Sequence, residues 1–502
     1  MQLRFTFHFF FFSVLFLLAT SQKQQQIIGL THRLVEATKP KEKIAIIGSG
    51  AGGSATAYYL QRFANTSYDI TIFEKSNYIG GRSTTVNVYD NSSWYVELGA
   101  SIFVSANRIL MKSIEEFGLE TRKYGEQIQK QQNGIQNSIG VWNGTEFILT
   151  LSDTWFSKAK LLLKYGLSPI KSLFLTKSFI GTFIEYYYEK EFPFANLTEV
   201  TIQSNFSQAT NISGLSFFRE KGISDSYSFD FIQSISRVNY AQNLEDIHGI
   251  GALVSIAAEN AYQVKGGNWK IFEKFISYSN STLKLNTEVT KISKTKNAWN
   301  VTYTDISNSD SASSNFDKVI IAAPLDQTDI EISGAQTPKT ADYVTLHVTL
   351  LAVNGTLSEQ YFFGNTTNKS KVPRTVLTTV LPEKDGIGTE SLPFFSVAVN
   401  DFIEETGDYV YKIFSPKEIS DEMLQSLFPI YSKLSWIHRK IWKSYPKLKP
   451  ISEFGNFKVD DNLWYLNIME QFISTMETSA LAGANVAALI SKGKNSTELK
   501  LP

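Results

Sequence analysis

The sequence predicts an α/β fold assembled from discontinuous segments, and three observations carry that expectation. KIAIIGSGAGGSATAYYL, Lys43 to Leu60, runs from a short apolar strand through a glycine-rich turn into a helix. A second apolar strand, YDITIFEK, follows and ends at an acid, Glu74. Far downstream, FDKVIIAAPL holds another strand of the same kind, Val319 to Ala323, stopped by Pro324. Strands alternating with helices at this spacing imply a parallel sheet covered on both faces. The expected layout is a Rossmann-type domain from 43–125, 250–325 and 455–492, with an α+β second domain from 126–249 and 326–454.

The chain of 502 residues is long enough for both. Its 43% hydrophobic and 19% charged residues suit a globular protein with a large core. Lys+Arg and Asp+Glu both number 48, so the net charge is zero, which argues against a nucleic-acid binder.

Taken in order, the first element is MQLRFTFHFFFFSVLFLLATSQKQQQ, with one early cation, Arg4, and an apolar run from about Phe9 to Ala19. That run is short for a spanning helix and reads as a signal peptide over residues 1–20, cleaved near Ala19 to Ser21. An uncleaved signal anchor is the alternative. Either routes the chain into the secretory pathway. Sequons at Asn65, Asn91, Asn143, Asn196, Asn205, Asn211, Asn280, Asn300, Asn354, Asn365, Asn368 and Asn495 fit that route and imply N-glycans. Cysteine is absent, so the fold is held without disulfides. The chain ends ELKLP, which is no ER-retention signal, leaving secreted, lysosomal or vacuolar destinations.

In the first strand, Ile44 to Ile47 is a continuous apolar run, as in a strand buried on both faces. Its turn, Gly48-Ser49-Gly50-Ala51-Gly52-Gly53, carries the glycine spacing of a dinucleotide site. Gly48 permits the bend, Gly50 admits a pyrophosphate, and Gly53 lets the helix close on the strand. The helix, Ala51 to Phe63, offers its N-terminal N–H groups to phosphate. Glu74, about twenty residues on, is placed to accept hydrogen bonds from a ribose 2′-OH and disfavours a 2′-phosphate.

Downstream lie Gly80-Gly81-Arg82 and YVELGASIF, with Glu97, Gly99 and Ala100. Together with Glu74 these resemble the amine-oxidase-like FAD superfamily. The resemblance implies FAD, with Gly81 and Arg82 along the diphosphate and the Gly99–Ala100 backbone near the flavin. Alone, the doublet reads as an ordinary turn with a solvated Arg. Two alternating strands, Val289 to Ile292 and Trp299 to Tyr303, precede Val319 to Ala323, and the resemblance places the Val289 backbone at the adenine; a plain β-hairpin is the other reading.

SRVNYAQ (Ser236 to Gln242), VKGGNWK (Val264 to Lys270) and STMETSA (Ser474 to Ala480) depart from the amine-oxidase pattern and resemble the prenylcysteine oxidase or farnesylcysteine lyase family, over Lys43 to about Ile490. This resemblance implies cleavage of S-farnesyl- or S-geranylgeranyl-cysteine to cysteine, prenyl aldehyde and hydrogen peroxide, with O2 as acceptor, in a lysosomal or vacuolar setting. It also puts Glu470 and Met476 at the closing edge of the flavin site. With no cysteine for a cysteinyl link, non-covalent FAD is expected.

Substrate residues are less legible. Lys160 to Phe192 reads as two helices around Pro169, and Val344 to Val353 as a strand, both in the substrate domain. The helices read as packed amphipathic elements; peripheral membrane association is the other reading. Arg237, Asn239 and Tyr240 are candidates for the polar end of the substrate or for support behind it. His248 is a candidate for the water step, although a lone histidine is more often structural. His32, His248, His347 and His438 show no metal-ligand spacing, so no metal is expected. Two rival readings remain: an FAD amine or polyamine oxidase, and a non-catalytic prenyl-binding escort protein.

Overall fold

The apolar run Ile44–Ile47 is the interior of the strand Glu42–Ile47, and its neighbours on both sides explain its composition. In the computed structural model, which describes residues 41–64, 68–126, 136–152, 154–257, 261–364, 371–379, 392–492 and 499–501, it sits inside a six-stranded sheet. The order is Lys458–Asp460, Leu463–Tyr465, Lys318–Ile321, Glu42–Ile47, Tyr68–Phe73, Thr282–Lys284. Ile44 to Ile47 pair in parallel with Lys318 to Ile321, which pair in parallel with Leu463–Tyr465. Tyr68–Phe73 pairs in parallel with Thr282–Lys284, and the edge strand Lys458–Asp460 runs antiparallel to its neighbour.

The helix Ala51–Ala64 covers this sheet and is itself covered by Trp269–Ser279 and by the last helix, Met476–Ser491. The last helix is rich in alanine because it approaches closely. A Cβ on Gly483 would stand 2.3 Å from the Gly52 carbonyl oxygen. The expected signal peptide lies outside the described residues, as do Asn65, Asn365, Asn368 and Asn495.

Val289 and Trp299 stand in the strands Thr287–Lys294 and Trp299–Asp305 of a separate four-stranded sheet. That sheet also holds Asp310–Phe316, a strand the sequence reading lacks. Its DSASSNF is polar because it is an exposed edge, so it carries no apolar alternation.

A seven-stranded sheet forms the other layer, in the order Lys433–Pro446, Tyr343–Asn354, Asp408–Ser415, Ser396–Ile403, Pro373–Thr378, Gln136–Trp142, Phe147–Leu151. The long strand Tyr343–Asn354 buries both faces: Leu346, Val348, Leu350 and Ala352 join one core, Leu351 and Val353 another. The two helices expected around Pro169 are Trp155–Tyr165 and Ser168–Ile184, with Pro169 in the first turn of the second. Among the described residues no helix is long and apolar enough to cross a membrane.

Candidate functional site

The glycine turn works as its spacing requires. Gly48 has φ of 103°, a conformation that favours glycine, and its N–H donates to the Phe73 carbonyl at 2.8 Å. A Cβ on Gly53 would collide with the Gly48 carbonyl oxygen at 2.0 Å, so the helix closes on the strand only through glycine. Gly50 differs. A Cβ there meets nothing nearer than the Gly80 carbonyl oxygen at 3.9 Å, so space remains above the turn. Ala51, Gly52 and Gly53 open the helix at that point, where backbone N–H groups lack intrahelical partners.

Glu74 is buried and locked beside the turn. Its Oε2 accepts from the Ser49 N–H at 2.8 Å and the Ser49 hydroxyl at 2.9 Å, and its Oε1 accepts from the Ser76 N–H at 2.9 Å. Its carbonyl accepts from Thr287 N–H, which brings Val289 and its strand to the end of the second strand.

Gly80 and Gly81 both have positive φ and fold back onto the first turn, the Gly80 N–H donating to the Ser49 carbonyl at 3.1 Å. Arg82 then points across the fold to the far end of the chain. Its guanidinium donates to the Ser444 carbonyl and pairs with Glu470, whose Oε2 accepts from Tyr343 hydroxyl at 2.8 Å. Asn467 donates to the other Glu470 oxygen at 2.8 Å. Although burial opposes its charge, Glu470 and Tyr343 raise the Arg82 pKa above its ordinary value.

The Gly99–Ala100 backbone lies against Arg82: the Ala100 N–H donates to the Arg82 carbonyl at 3.0 Å. A Cβ on Gly99 would stand 2.0 Å from that oxygen and 2.7 Å from the Trp442 ring. Asn268 of the GGN motif clamps this segment from one side, its N–H donating to Glu97 Oε1 at 2.7 Å and its amide to the Ala100 carbonyl at 3.0 Å. Lys412 clamps it from the other. Its Nζ donates to the Glu97 carbonyl, the Gly99 carbonyl and the Ser101 hydroxyl at 2.9, 3.2 and 2.7 Å. Burial pushes the Glu97 pKa up and the Lys412 pKa down, while each charge partly offsets the shift of the other.

Several buried polar atoms around this cluster find no hydrogen-bond partner among the described residues: Ser83 Oγ, Glu97 Oε2, Trp442 Nε1, Ser444 Oγ and Asn467 Oδ1. Buried polar groups are normally paired, so this cluster, beside an open glycine turn and a fixed carboxylate, fits an elongated polar cofactor. A flavin dinucleotide has that shape and those hydrogen-bonding groups.

Of the other sequence-derived candidates, Tyr240 borders this cluster through Tyr445. Met476 opens the last helix in the core. Tyr240 reaches the Ser474 carbonyl with its hydroxyl at 3.3 Å and packs edge-on against Tyr445. Asn239 donates to the Ser255 carbonyl at 2.9 Å. His248 is fully buried, with both ring nitrogens committed to backbone: Nδ1 accepts from Gly251 N–H at 3.0 Å and Nε2 faces the Gln471 carbonyl at 3.2 Å. Burial holds its pKa down to about 4. Arg237, fully buried, lies over the Phe395 ring and donates to Asn243 at 3.0 Å. Burial lowers its pKa to about 10. Among the described residues there is no cluster of three or more His, Cys, Asp or Glu able to hold a metal.

Sequence reasoning missed Lys412 and Tyr343. A signal for the first was present: DYVYKIFS places one lysine inside an otherwise apolar strand, where only a buried or catalytic role explains it.

Comparison with known proteins bears on the whole chain. A family model described as prenylcysteine lyase matches residues 149–500, and one described as an NAD(P)-binding Rossmann-like domain matches residues 46–117. Among curated relatives, a farnesylcysteine lyase of Arabidopsis thaliana is 30% identical over 470 residues, covering 89% of this chain and 87% of that protein. Prenylcysteine oxidase 1 of Bos taurus is 28% identical over 483 residues, covering 90% and 89%. Among solved structures, a putrescine oxidase bound to putrescine aligns with a TM-score of 0.57 at 13% identity, covering 90% of this chain and 99% of that one. A fatty acid isomerase from P. acnes aligns with a TM-score of 0.58 at 12% identity, covering 90% and 98%. At such identities these structures speak to the fold alone.

Proposed function

We propose, from the premise that this chain belongs to the prenylcysteine lyase family, that it is an FAD-dependent oxidase cleaving the thioether of an S-prenylcysteine. The observation that carries the reading is the open glycine turn beside a locked Glu74, in a chain matched to that family over most of its length. The substrate is farnesyl- or geranylgeranyl-cysteine. Overall, thioether, water and O2 give prenyl aldehyde, free cysteine and hydrogen peroxide.

The residues present fit FAD. Gly50 and the N-terminus of the helix Ala51–Ala64 would receive the diphosphate, Glu74 the ribose hydroxyls, and Arg82 the diphosphate charge. The Gly99–Ala100 backbone would lie by the flavin. Bound there, FAD supplies a two-electron acceptor for the carbon between sulfur and the allylic double bond, and returns those electrons to O2. The protein needs no nucleophile of its own for this chemistry.

What the chain supplies is placement. Lys412 Nζ and Asn268 fix the segment Glu97–Ser101 from two sides, so its carbonyls cannot turn as substrate enters. Glu470 pairs with Arg82 and is itself held by Tyr343 and Asn467, which fixes the guanidinium in place with its remaining N–H groups available to an anion. The FAD is held non-covalently, since the sequence has no cysteine for a cysteinyl link.

We further propose that the protein works in the secretory pathway, in a lysosome or vacuole, and carries N-glycans. The apolar N-terminal run and the sequons support this: Asn205, Asn211, Asn280 and Asn354 are exposed, and none of the described sequon asparagines is buried. Mobility before and after glycosidase treatment tests the glycans, and fractionation of the producing cells tests the compartment.

The functional test is the visible spectrum of the purified protein, with farnesylcysteine and spermine added separately without oxygen. Bleaching of a flavin band by farnesylcysteine alone is expected. A protein that stays colourless after refolding with FAD, or that bleaches with spermine alone, overturns the reading.

A further inference from the structure

The helices Trp155–Tyr165 and Ser168–Ile184 carry large apolar side chains on the outer face as well as the inner one. The sequence reads them as packed amphipathic elements, yet the face they turn inward mixes hydroxyl residues with apolar ones, Leu161, Leu175, Ile180 and Phe183 packing against the core. Ser157, Ser168, Ser172 and Thr176 are buried, together with Tyr165 and Phe179. Both helices rest on the segment Ser224–Asp230. Ser168 Oγ meets Ser224 Oγ at 3.0 Å, Ser172 Oγ meets Tyr227 hydroxyl at 3.4 Å, and Tyr165 hydroxyl and Lys164 both donate to Asp230.

The outward face is apolar. Leu163 is 87% exposed, Trp155 79% and Phe174 66%, with Phe156, Leu162, Leu167, Ile170 and Leu173 exposed around them. At 3.6 residues per turn, Trp155, Phe156, Leu162 and Leu163 fall within a stripe roughly 120° wide, opposite Ser157 and Tyr165. On the second helix Ile170, Leu173 and Phe174 stand opposite Ser168, Ser172 and Thr176. Exposed Leu167 joins the two stripes. A contiguous apolar surface of this kind marks a site of association.

The charges say with what. Residues 154–184 contain five lysines, Lys158, Lys160, Lys164, Lys171 and Lys177, and no Asp, Glu or Arg. Lys164 and Lys171 are turned to Asp230 and the Gly222 carbonyl. Lys158 and Lys160 flank the stripe of the first helix and Lys177 stands on the outward face of the second, where long side chains lift their ammonium groups towards a polar phase while their stems lie along apolar surface. A second copy of the chain would set these lysines against themselves. A bilayer bearing anionic headgroups meets both features at once: the apolar residues enter the headgroup boundary and the lysines meet phosphate and carboxylate. An exposed tryptophan, Trp155, at the start of the first helix suits that boundary.

We propose that the hairpin Trp155–Ile184 is a peripheral membrane-docking surface that seats the protein on an anionic phospholipid bilayer. The inference stands on the helices alone and is separate from the catalytic reading.

The test uses the full secreted protein and sedimentation with vesicles of phosphatidylcholine, with and without phosphatidylserine. Binding to the anionic vesicles, weakened by salt, is expected. The triple variant Trp155→Ser, Leu163→Ser, Phe174→Ser is expected to bind at least about tenfold less well, with unchanged melting temperature and unchanged turnover of dissolved farnesylcysteine. The variant Lys158→Gln, Lys160→Gln, Lys177→Gln is expected to lose the preference for anionic over neutral vesicles. Equal binding by the wild type and the triple variant, or no binding of the wild type to anionic vesicles, overturns the proposal. So does a wild-type dimer that the triple variant abolishes without any change in vesicle binding. A protein inactive on farnesylcysteine that still binds vesicles leaves this inference intact and removes only the catalytic one.

Discussion

Replacing His248 by asparagine removes a titration whose size follows from the structure. Its Nδ1 accepts from the Gly251 N–H and its Nε2–H donates to the Gln471 carbonyl, so only the neutral ring satisfies both neighbours. Burial lowers its pKa from 6.5 to about 4. At about 1.4 kcal/mol per tenfold change in proton affinity, the full shift is worth about 3 kcal/mol. A depressed folded-state pKa gives stability that is whole above the unfolded value and drains as pH falls through the folded one. By about pH 5 roughly 2 kcal/mol is gone. His248→Asn keeps an acceptor at the N-cap and loses the Gln471 bond, a pH-independent offset of about 1 kcal/mol. Urea unfolding of both proteins, followed by tryptophan fluorescence between about pH 7.5 and 5, measures the difference, in which other titrations cancel. The wild-type advantage of about 1 kcal/mol near pH 7.5 is expected to turn into a deficit of about 1 kcal/mol near pH 5, a swing of about 2 kcal/mol. A gap that stays constant with pH refutes a neutral, buried His248.

Gly50→Ala is expected to leave the fold intact and lower flavin content at least about tenfold, because its Cβ enters open space above the turn. Gly53→Ala is expected to prevent a stable fold, since its Cβ meets the Gly48 carbonyl oxygen at 2.0 Å; melting curves and absorbance distinguish the two outcomes. Arg82→Ala strands buried Glu470 and is expected to cost about 3 kcal/mol, with part regained in the double variant Arg82→Met, Glu470→Met, read by urea unfolding. Lys412→Met frees the Gly99 carbonyl and is expected to lower kcat on farnesylcysteine about tenfold with a smaller change in KM, a split that simple unfolding would not give.

How much of this was legible in the sequence depends on distance along the chain. The turn and Glu74 were readable because Gly48, Gly53 and Glu74 act through local backbone geometry, and their spacing is itself the signal. Arg82 was readable as a cation near the turn, but its partner was not. Glu470 lies 388 residues away, and nothing local to either residue announces the pair. Asn268 belonged to a recognisable motif whose purpose, holding Glu97 and Ala100, appears only once those segments meet. The edge strand Asp310–Phe316 escaped notice because an exposed strand has no apolar alternation. The two helices around Pro169 were read over Lys160 to Phe192, whereas the first begins at Trp155 and the second ends at Ile184. Packing and membrane association were both open, since composition does not say which face points inward.

The seating of the final helix on the first has a bearing on how the protein is made. Gly52 and Gly483 touch across the helix pair, and the strand Leu463–Tyr465 completes the parallel sheet only after more than nine-tenths of the chain has been synthesised. Until then the nucleotide-binding half must wait with its outer surface bare, a prolonged non-local closure that invites chaperone capture. A stop codon anywhere before Met476 should therefore yield no trimmed enzyme, only a nascent product destined for degradation.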